Sequence, residues 1–248
     1  MSYRAFARFY DRLTGDVDYR RRADYLLSLF TRHGGGTPAS LLDLACGSGS
    51  LALCLAERGV DMTGVDSSPD MLAEAAVKAG ERGQNVLFLE QDMRRLDLYG
   101  TVSGAVCALD SLNHLLKTAD LAAVFGRLRL FIEPGGLFIF DMNTPYKHRE
   151  VLRDNAFVFE EEDFLCVWRN SLRERDCTVE MWLDFFLPEG ERYYRLSDEV
   201  RERAYTRPTV ERLLREAGFI PLAVYADLTC DEPKPDCQRW VFVARNGT

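Results

Sequence analysis

The sequence has little that would support metal, membrane or polyanion chemistry. Its 248 residues include only three histidines, at positions 33, 114 and 148, and none has a partner at metal-ligand spacing. No stretch approaches the roughly 20 uncharged apolar residues of a membrane span, and the N-terminus has no signal-peptide pattern. Acidic residues outnumber basic ones, 39 to 31, and the net charge of -8 disfavours a general nucleic-acid binder. We therefore expect no metal and no membrane partner, and leave open a local basic patch.

Cysteine pairs in a Cys-x-x-Cys pattern are also missing. The seven cysteines are scattered, and several of them lie in apolar runs. Such usage is typical of reduced, mostly buried thiols in a cytoplasmic protein. The length fits one domain, or a core domain with an insertion, and a hydrophobic content of 47% is enough for a sizeable core.

Two patterns divide the first 145 residues. Residues 2–32 have apolar side chains at helical spacing and predict an N-terminal helical cap, residues 1–36, which Gly34, Gly35 and Gly36 bring to an end. From residue 37 to residue 145, strands alternate with helices, which predicts a parallel sheet with helices on both faces. The five predicted strands are residues 40–43, 61–65, 86–89, 104–108 and 137–140, with a turn at residues 134–136 before the fifth.

A different pattern occupies residues 146–204. Four runs between residues 157 and 204 read as strands, several with alternating apolar and polar side chains. We predict an inserted antiparallel β region that either covers the site or forms a dimer face. The core is expected to resume over residues 205–248, with a helix at 208–217 and strands at 220–225 and 240–244.

Residues 41–50 form the stretch around which the rest is organised. A buried strand leads into Gly47 and Gly49, and an apolar run that begins a helix follows. Glycines let a backbone approach a ligand closely, and a helix start has free N–H groups. The spacing also matches the G-x-G-x-x-A fingerprint of NAD(P)-dependent oxidoreductases. However, Asp43 precedes Gly47 by four residues, and a carboxylate there would repel a pyrophosphate and suit a cationic group.

Acidic residues follow or end all five predicted strands. Because the carboxyl ends of parallel strands meet at one edge of a sheet, these acids are expected to lie along the edge where ligands bind. An acid 19 positions after Gly47 can accept hydrogen bonds from both hydroxyls of a ribose, and a carboxylate beside a thioether can take an adenine ring. The five acids are Asp43, Asp66, Asp92, Asp110 and Asp141.

Four motifs together resemble class I S-adenosylmethionine-dependent methyltransferases. Residues 43–49 are similar to the glycine-rich first motif, residues 65–72 to the second, residues 91–93 to the adenine motif, and residues 134–141 to the turn into strand five. The resemblance implies an α/β fold with a Rossmann-like seven-stranded sheet, helices on both faces and an antiparallel insertion after strand five. It implies S-adenosylmethionine as the cofactor. Residues 9–19 and 107–114 further resemble a small bacterial subgroup whose substrates are poorly defined.

The resemblance also implies roles for individual residues. Asp66 would bind the ribose, Asp92 and Met93 of the motif that begins at Gln91 would bind the adenine, and Leu109 would lie near the sulfonium. Asp43 would orient the loop or the methionine amino group. Tyr10, Tyr19 and Met71 are either cofactor contacts or plain packing residues. Cys46 would face the cofactor through its backbone, without acting as a nucleophile. The implied cofactor set is Tyr10, Tyr19, Asp43, Ala45, Cys46, Gly47, Gly49, Asp66, Ser67, Met71, Gln91, Asp92, Met93 and Leu109.

The sequence indicates less about the methyl acceptor and the residues that would bind it. A base is needed only if the acceptor is protonated, and His114 and Asp110 compete for that role. Tyr146 and His148 are expected in a solvated loop. The acidic run at residues 160–163 would repel a phosphate-rich acceptor, which favours a small molecule over RNA. Three alternatives therefore stay open: a methyltransferase, an NAD(P)-dependent oxidoreductase, and a non-catalytic protein that binds S-adenosylmethionine.

Overall fold

The computed structural model describes residues 4–247, with side chains from Phe9 onward. The predicted helix positions 2 and 3, and residue 248 of the last predicted segment, lie outside the described residues. Helices and strands alternate through the first half, as the apolar periodicity predicts. In chain order these elements are α1 Arg4–Leu13, α2 Tyr19–Gly34, β1 Ser40–Leu44, α3 Ser50–Ala56, β2 Asp61–Asp66, α4 Pro69–Glu81, β3 Leu87–Glu90, β4 Val102–Cys107, α5 Thr118–Phe131 and β5 Ile132–Asn143.

The second half begins with four strands and returns to the core with one helix and two strands. The elements are β6 Ala156–Glu160, β7 Leu165–Arg173, β8 Thr178–Glu189, β9 Arg192–Arg203, α6 Arg207–Glu216, β10 Phe219–Ala226 and β11 Arg239–Asn246.

Seven strands form one mixed sheet in the order β10-β11-β5-β4-β1-β2-β3. Strands β1 to β5 pair in parallel, and β11 runs antiparallel to both β5 and β10. Strand β1 lies between β4 and β2, so the chain order reverses beside it. Such a switch point opens a crevice at the carboxyl ends of the strands, and the glycine loop after β1 lies there. The α/β fold expected from the sequence is confirmed.

Alternation along each strand gives the sheet two apolar faces, as a doubly covered sheet requires. Leu42 and Phe138 lie in the core on one face, together with the apolar sides of α5 and α6. Leu41 and Ile139 lie in the core on the other face, against α2 and α3. The helices therefore cover both faces of the sheet.

The remaining strands form a separate antiparallel sheet in the order β6-β7-β8-β9. Its inner face has its own apolar core, which includes Phe164, Met181 and Phe185. Phe9 of α1 belongs to this core and stacks on Phe185 with ring centroids 4.9 Å apart. Helix α1 therefore connects the inserted sheet to the first half of the chain.

Strand bounds differ from the sequence predictions at two places that affect the site. Strand β1 extends to Leu44, so Asp43 lies inside the strand rather than at its end. Strand β5 starts at Ile132 and continues to Asn143, so Asp141 is also inside a strand, and the predicted turn at residues 134–136 is a distortion within it. Pairing with β11 over residues 137–143 stabilises the longer strand. Because β11 is about 100 residues away along the chain, the residues around β5 do not indicate this pairing in the sequence.

One further fold feature concerns membranes. Among the helices of residues 4–247, none is both long and apolar enough to cross a bilayer.

Candidate functional site

The loop after β1 adopts a conformation that depends on its glycines. Gly47 and Gly49 have φ angles of 53° and 74°, which glycine adopts without steric cost. A Cβ on Gly49 would lie 2.8 Å from the Cβ of Ala75. Any larger residue at this position would therefore push α4 away from the loop.

Asp66, at the end of β2, holds this loop in place. Its two carboxylate oxygens accept hydrogen bonds from the Gly47 amide at 2.9 Å and the Ser68 amide at 2.9 Å. Burial raises the pKa of Asp66, while these amides and the His114 imidazole oppose the rise. Asp66 is thus half-buried and already bonded to backbone. In addition, the side chain of Ser68 caps α4, as the Ser-Pro pattern predicts.

Asp43 is the least satisfied acid in the site. Its side chain is only 2% exposed, and its Oδ2 atom has no hydrogen-bond partner among the described residues. Burial and the charge of Asp66 raise the pKa of Asp43 to about 8, although the Ala52 amide opposes the rise. A buried carboxyl oxygen without a donor is costly. The position therefore suits a cationic ligand group that donates to Asp43.

A small cavity lies between the glycine loop, the turn after β4 and the two N-terminal helices. Its volume is about 20 Å³, enough for a water molecule and far below the roughly 300 Å³ of a ligand pocket. Six of the residues predicted to bind cofactor line it together: Tyr10, Tyr19, Asp43, Ala45, Cys46 and Leu109.

Helix α1 borders the cavity through Tyr10 and is bonded to both neighbouring regions. Asp11 accepts a hydrogen bond from the Ser48 hydroxyl of the glycine loop at 2.5 Å and forms an ion pair with Lys78 of α4. Arg12 pairs with Asp163 of the inserted region at 2.5 Å. The same helix therefore binds both the glycine loop and the insertion.

Cys46 lies in the loop as a half-buried thiol. Burial raises its pKa well above the ordinary value, and the charges of Asp43 and Asp66 add to the rise. A nucleophilic cysteine needs the opposite shift. This agrees with the prediction that Cys46 is no nucleophile.

The predicted adenine residues lie apart from the cavity, after β3. Asp92 accepts from the Arg94 amide and pairs with its guanidinium, which lowers the pKa of Asp92. Gln91 uses both side-chain polar atoms to bond the backbone of Asp97 at 2.8 Å. Met93 packs against the core. Of the others, Met71 is buried and Ser67 is exposed.

Asp141 organises the turn after β4. Its carboxylate accepts from the amides of Leu109 at 2.9 Å and Asp110 at 2.7 Å, and both residues have positive φ angles, 55° and 54°. Arg239 pairs with Asp141 and, at 2.5 Å, with Asp110. The Asn143 amide donates to the other Asp110 oxygen at 2.9 Å. Both oxygens of Asp110 therefore have partners within the protein.

The structure contradicts the prediction that His148 lies in a solvated loop. The sequence indicated a solvated loop, but the side chain is fully buried (0% exposed), in a short helix at Lys147–Leu152. Its Nδ1 lies 3.0 Å from the Cys177 carbonyl oxygen and its Nε2 3.6 Å from Glu202 of β9. Burial lowers the pKa of His148, but these two partners raise it to about 9. The segment is buried because β7 and β8 of the inserted sheet pack against it. Tyr146, in contrast, is exposed as predicted.

Glu202 is a functional candidate that the sequence reasoning missed. It lies in the polar run at the end of β9, where nothing distinguishes it from Glu199. The structure buries it beside His114, whose Nε2 is 4.0 Å away. Asn143, Arg239 and Ser48 were missed for the same reason, since only their tertiary neighbours give them a role. Within residues 4–247, no group of three or more His, Cys, Asp or Glu side chains is placed to hold a metal ion.

The sequence of this chain is similar to those of known methyltransferases. Residues 41–136 match the family described as "Methyltransferase domain". The chain is 32% identical over 246 residues to the provisionally named methyltransferase YqeM of Bacillus subtilis (strain 168), covering 99% of this chain and 97% of that protein.

Two solved structures have the same fold over nearly the whole chain. An S-adenosylmethionine-dependent methyltransferase from Clostridium acetobutylicum ATCC 824 superposes with a TM-score of 0.88 at 29% identity, covering 99% of both chains. CalS10 from Micromonospora echinaspora, whose structure contains bound S-adenosylmethionine, superposes with a TM-score of 0.76 at 21% identity, covering 99% of this chain and 98% of that one.

Proposed function

This chain belongs to the class I S-adenosylmethionine-dependent methyltransferases, and from that premise we propose that it methylates a small-molecule acceptor. The assignment of S-adenosylmethionine as the cofactor is supported chiefly by the buried Asp43 oxygen beside the glycine loop, which has no hydrogen-bond partner among the described residues. Support for a small acceptor comes from the net charge of -8, which disfavours nucleic acid. CalS10, which has the same fold, is described as an amino pentose methyltransferase.

The cofactor supplies an activated methyl group, so the protein needs chiefly to hold and align it. In our proposal the methionine ammonium donates to Asp43, and Ala45, Gly47 and Gly49 form the floor beneath it. Asp66 takes the ribose hydroxyls with the lone pairs that remain after its two amide bonds. Asp92 and Met93 take the adenine, while Leu109 lies near the sulfonium. Gln91 would have to give up its bonds to Asp97 to take part.

Helix α1 is proposed to open when the cofactor enters. The cavity of about 20 Å³ is far too small for a nucleoside ligand. Tyr10 and Tyr19 line its upper side. We infer that residues 1–36 act as a cap whose movement admits the cofactor.

The insertion at residues 146–204 is proposed to cover the acceptor, while residues 37–145 and 205–248 form the cofactor-binding core. The burial of Glu202 beside His114 supports a cover more than a dimer face. A homodimer would then use the outer part of β9, where Tyr193 and Tyr194 are exposed. Light scattering of the purified chain decides between monomer and dimer.

Isothermal titration with S-adenosylmethionine and S-adenosylhomocysteine tests the cofactor half. Wild type should bind both, and Asp66→Ala should lose binding because the loop loses its two acceptor atoms. Asp70→Ala, an exposed acid in the first turn of α4, is the matched control and should bind like wild type. No heat of binding with wild type would overturn the proposal. Subsequent transfer of a labelled methyl group to a panel of amines and phenols would identify the acceptor.

A further inference from the structure

We propose that Glu202, from the inserted sheet, is a positioning residue that sets the tautomer of His114 for proton transfer from the methyl acceptor. The inference rests on the proposed function, because it assigns a residue to the acceptor side of the same site.

Glu202 divides its two oxygens between different partners. Oε2 accepts from the Asn143 side-chain amide at 3.0 Å and lies 3.6 Å from His148 Nε2. Oε1 lies 4.0 Å from His114 Nε2. The side chain is 6% exposed, and its neighbours keep it anionic: burial raises the pKa of Glu202, but His148, His114 and Asn143 outweigh that and lower it. A fixed negative charge therefore faces one nitrogen of His114.

The turn that carries His114 is tied directly to the strand that carries Glu202. The Asn113 side chain donates to the Arg203 carbonyl at 2.9 Å, and Arg203 donates to the Leu116 carbonyl at 3.0 Å. Tyr205 donates to the Leu115 carbonyl. Because these bonds flank His114 on both sides, the distance between its ring and Glu202 is set by the fold rather than by chance.

The location of His114 connects this pair to the cofactor edge. His114 is close enough to Asp66 to oppose the rise of the Asp66 pKa, and it follows Leu109 and Asp110 in the turn after β4. Asp110 competes poorly as a base, since Arg239 and Asn143 occupy its oxygens. Two further charged groups lie nearby: His148, which holds Glu202, and Lys147, which donates to Asn143 at 3.0 Å.

A carboxylate beside one imidazole nitrogen favours the proton on that nitrogen and leaves the lone pair on the other. Glu202 thus directs the His114 proton to Nε2 and the lone pair to Nδ1. When an acceptor X–H attacks the methyl group, its proton moves to Nδ1 as the X–methyl bond forms and the methyl–sulfur bond breaks. The imidazolium that results is countered by the Glu202 carboxylate.

The test is the tautomer of His114 in protein labelled with ¹⁵N-histidine and saturated with S-adenosylhomocysteine. Long-range ¹H–¹⁵N spectra at about pH 8 distinguish the two tautomers of a neutral imidazole from the imidazolium form, which His148 with its pKa of about 9 should mostly show. With three histidines in the chain, each signal is assigned from a His→Gln variant. Wild type should show His114 with its proton on Nε2. In Glu202→Gln the ratio of the Nε2-protonated to the Nδ1-protonated tautomer of His114 should fall about three- to tenfold. Glu199→Gln, on the exposed side of the same strand and paired with Arg201, is the matched control and should match wild type.

Each outcome has a defined meaning. A wild-type His114 protonated on Nδ1 overturns the inference without any variant, so a poorly folded Glu202→Gln protein cannot hide it. An unchanged tautomer in Glu202→Gln also overturns it, provided that the His148 signal shifts and shows that the charge is gone. Titration of the same samples with S-adenosylhomocysteine separates the two proposals. If S-adenosylhomocysteine binds but the His114 proton is on Nδ1, only this inference is overturned. If S-adenosylhomocysteine does not bind, the proposed function is overturned as well.

Discussion

Two buried carboxyl groups at opposite ends of the site have opposite electrostatic environments. Asp43, below the glycine loop, has an oxygen with no partner, and burial raises its pKa to about 8. Glu202, in the inserted sheet, is equally buried, but His148, His114 and Asn143 lower its pKa. Burial disfavours the charged form in both cases, so the nearby cations decide the difference. His148 is the cation beside Glu202, whereas the Asp43 oxygen is available to a cationic group of a ligand.

The comparison extends to the structures around the two acids. Asp43 lies in a central parallel strand, and the two groups that act on its pKa besides burial, Asp66 and the Ala52 amide, come from within 25 residues along the chain. The partners of Glu202 come from β5, the turn after β4 and the helix after β5, some 50 to 90 residues away. We expect changes at the first acid to alter ligand binding and changes at the second to alter the attachment of the insertion.

Removing the partner of Glu202 should have the largest effect. His148→Ala removes the nearest counter-charge of a buried carboxylate, which costs about 3–5 kcal/mol of unfolding free energy. Urea unfolding followed by circular dichroism measures it. Glu199→Ala, which breaks an exposed pair with Arg201, should cost about 0–1 kcal/mol. Equal losses in the two variants would remove the contrast between buried and exposed pairs.

The pH dependence of stability should come next in size. The folded pKa of His148 is about 9, above its ordinary 6.5, so its contribution is complete below pH 6.5 and is lost as the pH rises through 9. Glu202 has a lowered pKa, so its contribution is lost only in acid. The His148 contribution to the unfolding free energy should fall by on the order of 2–3 kcal/mol from about pH 6 to pH 9. Asp43, whose folded pKa is raised to about 8, adds a separate fall over the same range that a His148 variant keeps. A His148→Gln protein with the same slope would contradict this assignment.

At the other acid, the effect should appear in binding. Asp43→Asn removes the charge that would face the methionine ammonium, so affinity for S-adenosylhomocysteine should fall by about 1.5–3 kcal/mol, with stability unchanged or higher. Because the free carboxyl group has a pKa of about 8 and must ionise to bind a cation, wild-type affinity should rise as the pH approaches 8. Calorimetry across this range should show the rise in wild type and its absence in the variant. A pH-dependent Asp43→Asn protein would point to another group.

The smallest effect is expected where the two regions meet, at α1. Arg12→Gln breaks an exposed ion pair with Asp163, which is worth about 0.2–1 kcal/mol. If the cap must open for ligand exchange, S-adenosylhomocysteine should dissociate up to several-fold faster, as surface plasmon resonance can measure. Arg212→Gln, which breaks a pair within α6, is the control. Slower release from Arg12→Gln would count against a cap that opens.

The core and the glycine loop were predictable because their signals are local. Apolar periodicity and the Ser68 cap each depend on residues within one or two turns. The four motifs also follow each other in the right order. The predicted end of β1 was wrong by one residue, and those of β5 by five and three. Strand ends depend on the partner strand, and β11, the antiparallel partner of β5, is far away in sequence.

By itself, the sequence determined the α/β order, the glycine loop and the family resemblance, since each is encoded in neighbouring residues. Only the tertiary structure decided which acid is satisfied and which is not. Asp43 and Glu202 are both acids in strands, and a linear pattern gives neither one its partners. Burial and Coulomb interactions depend on distance in space, and the distances that matter here join β9 to β5 and to His114 and His148.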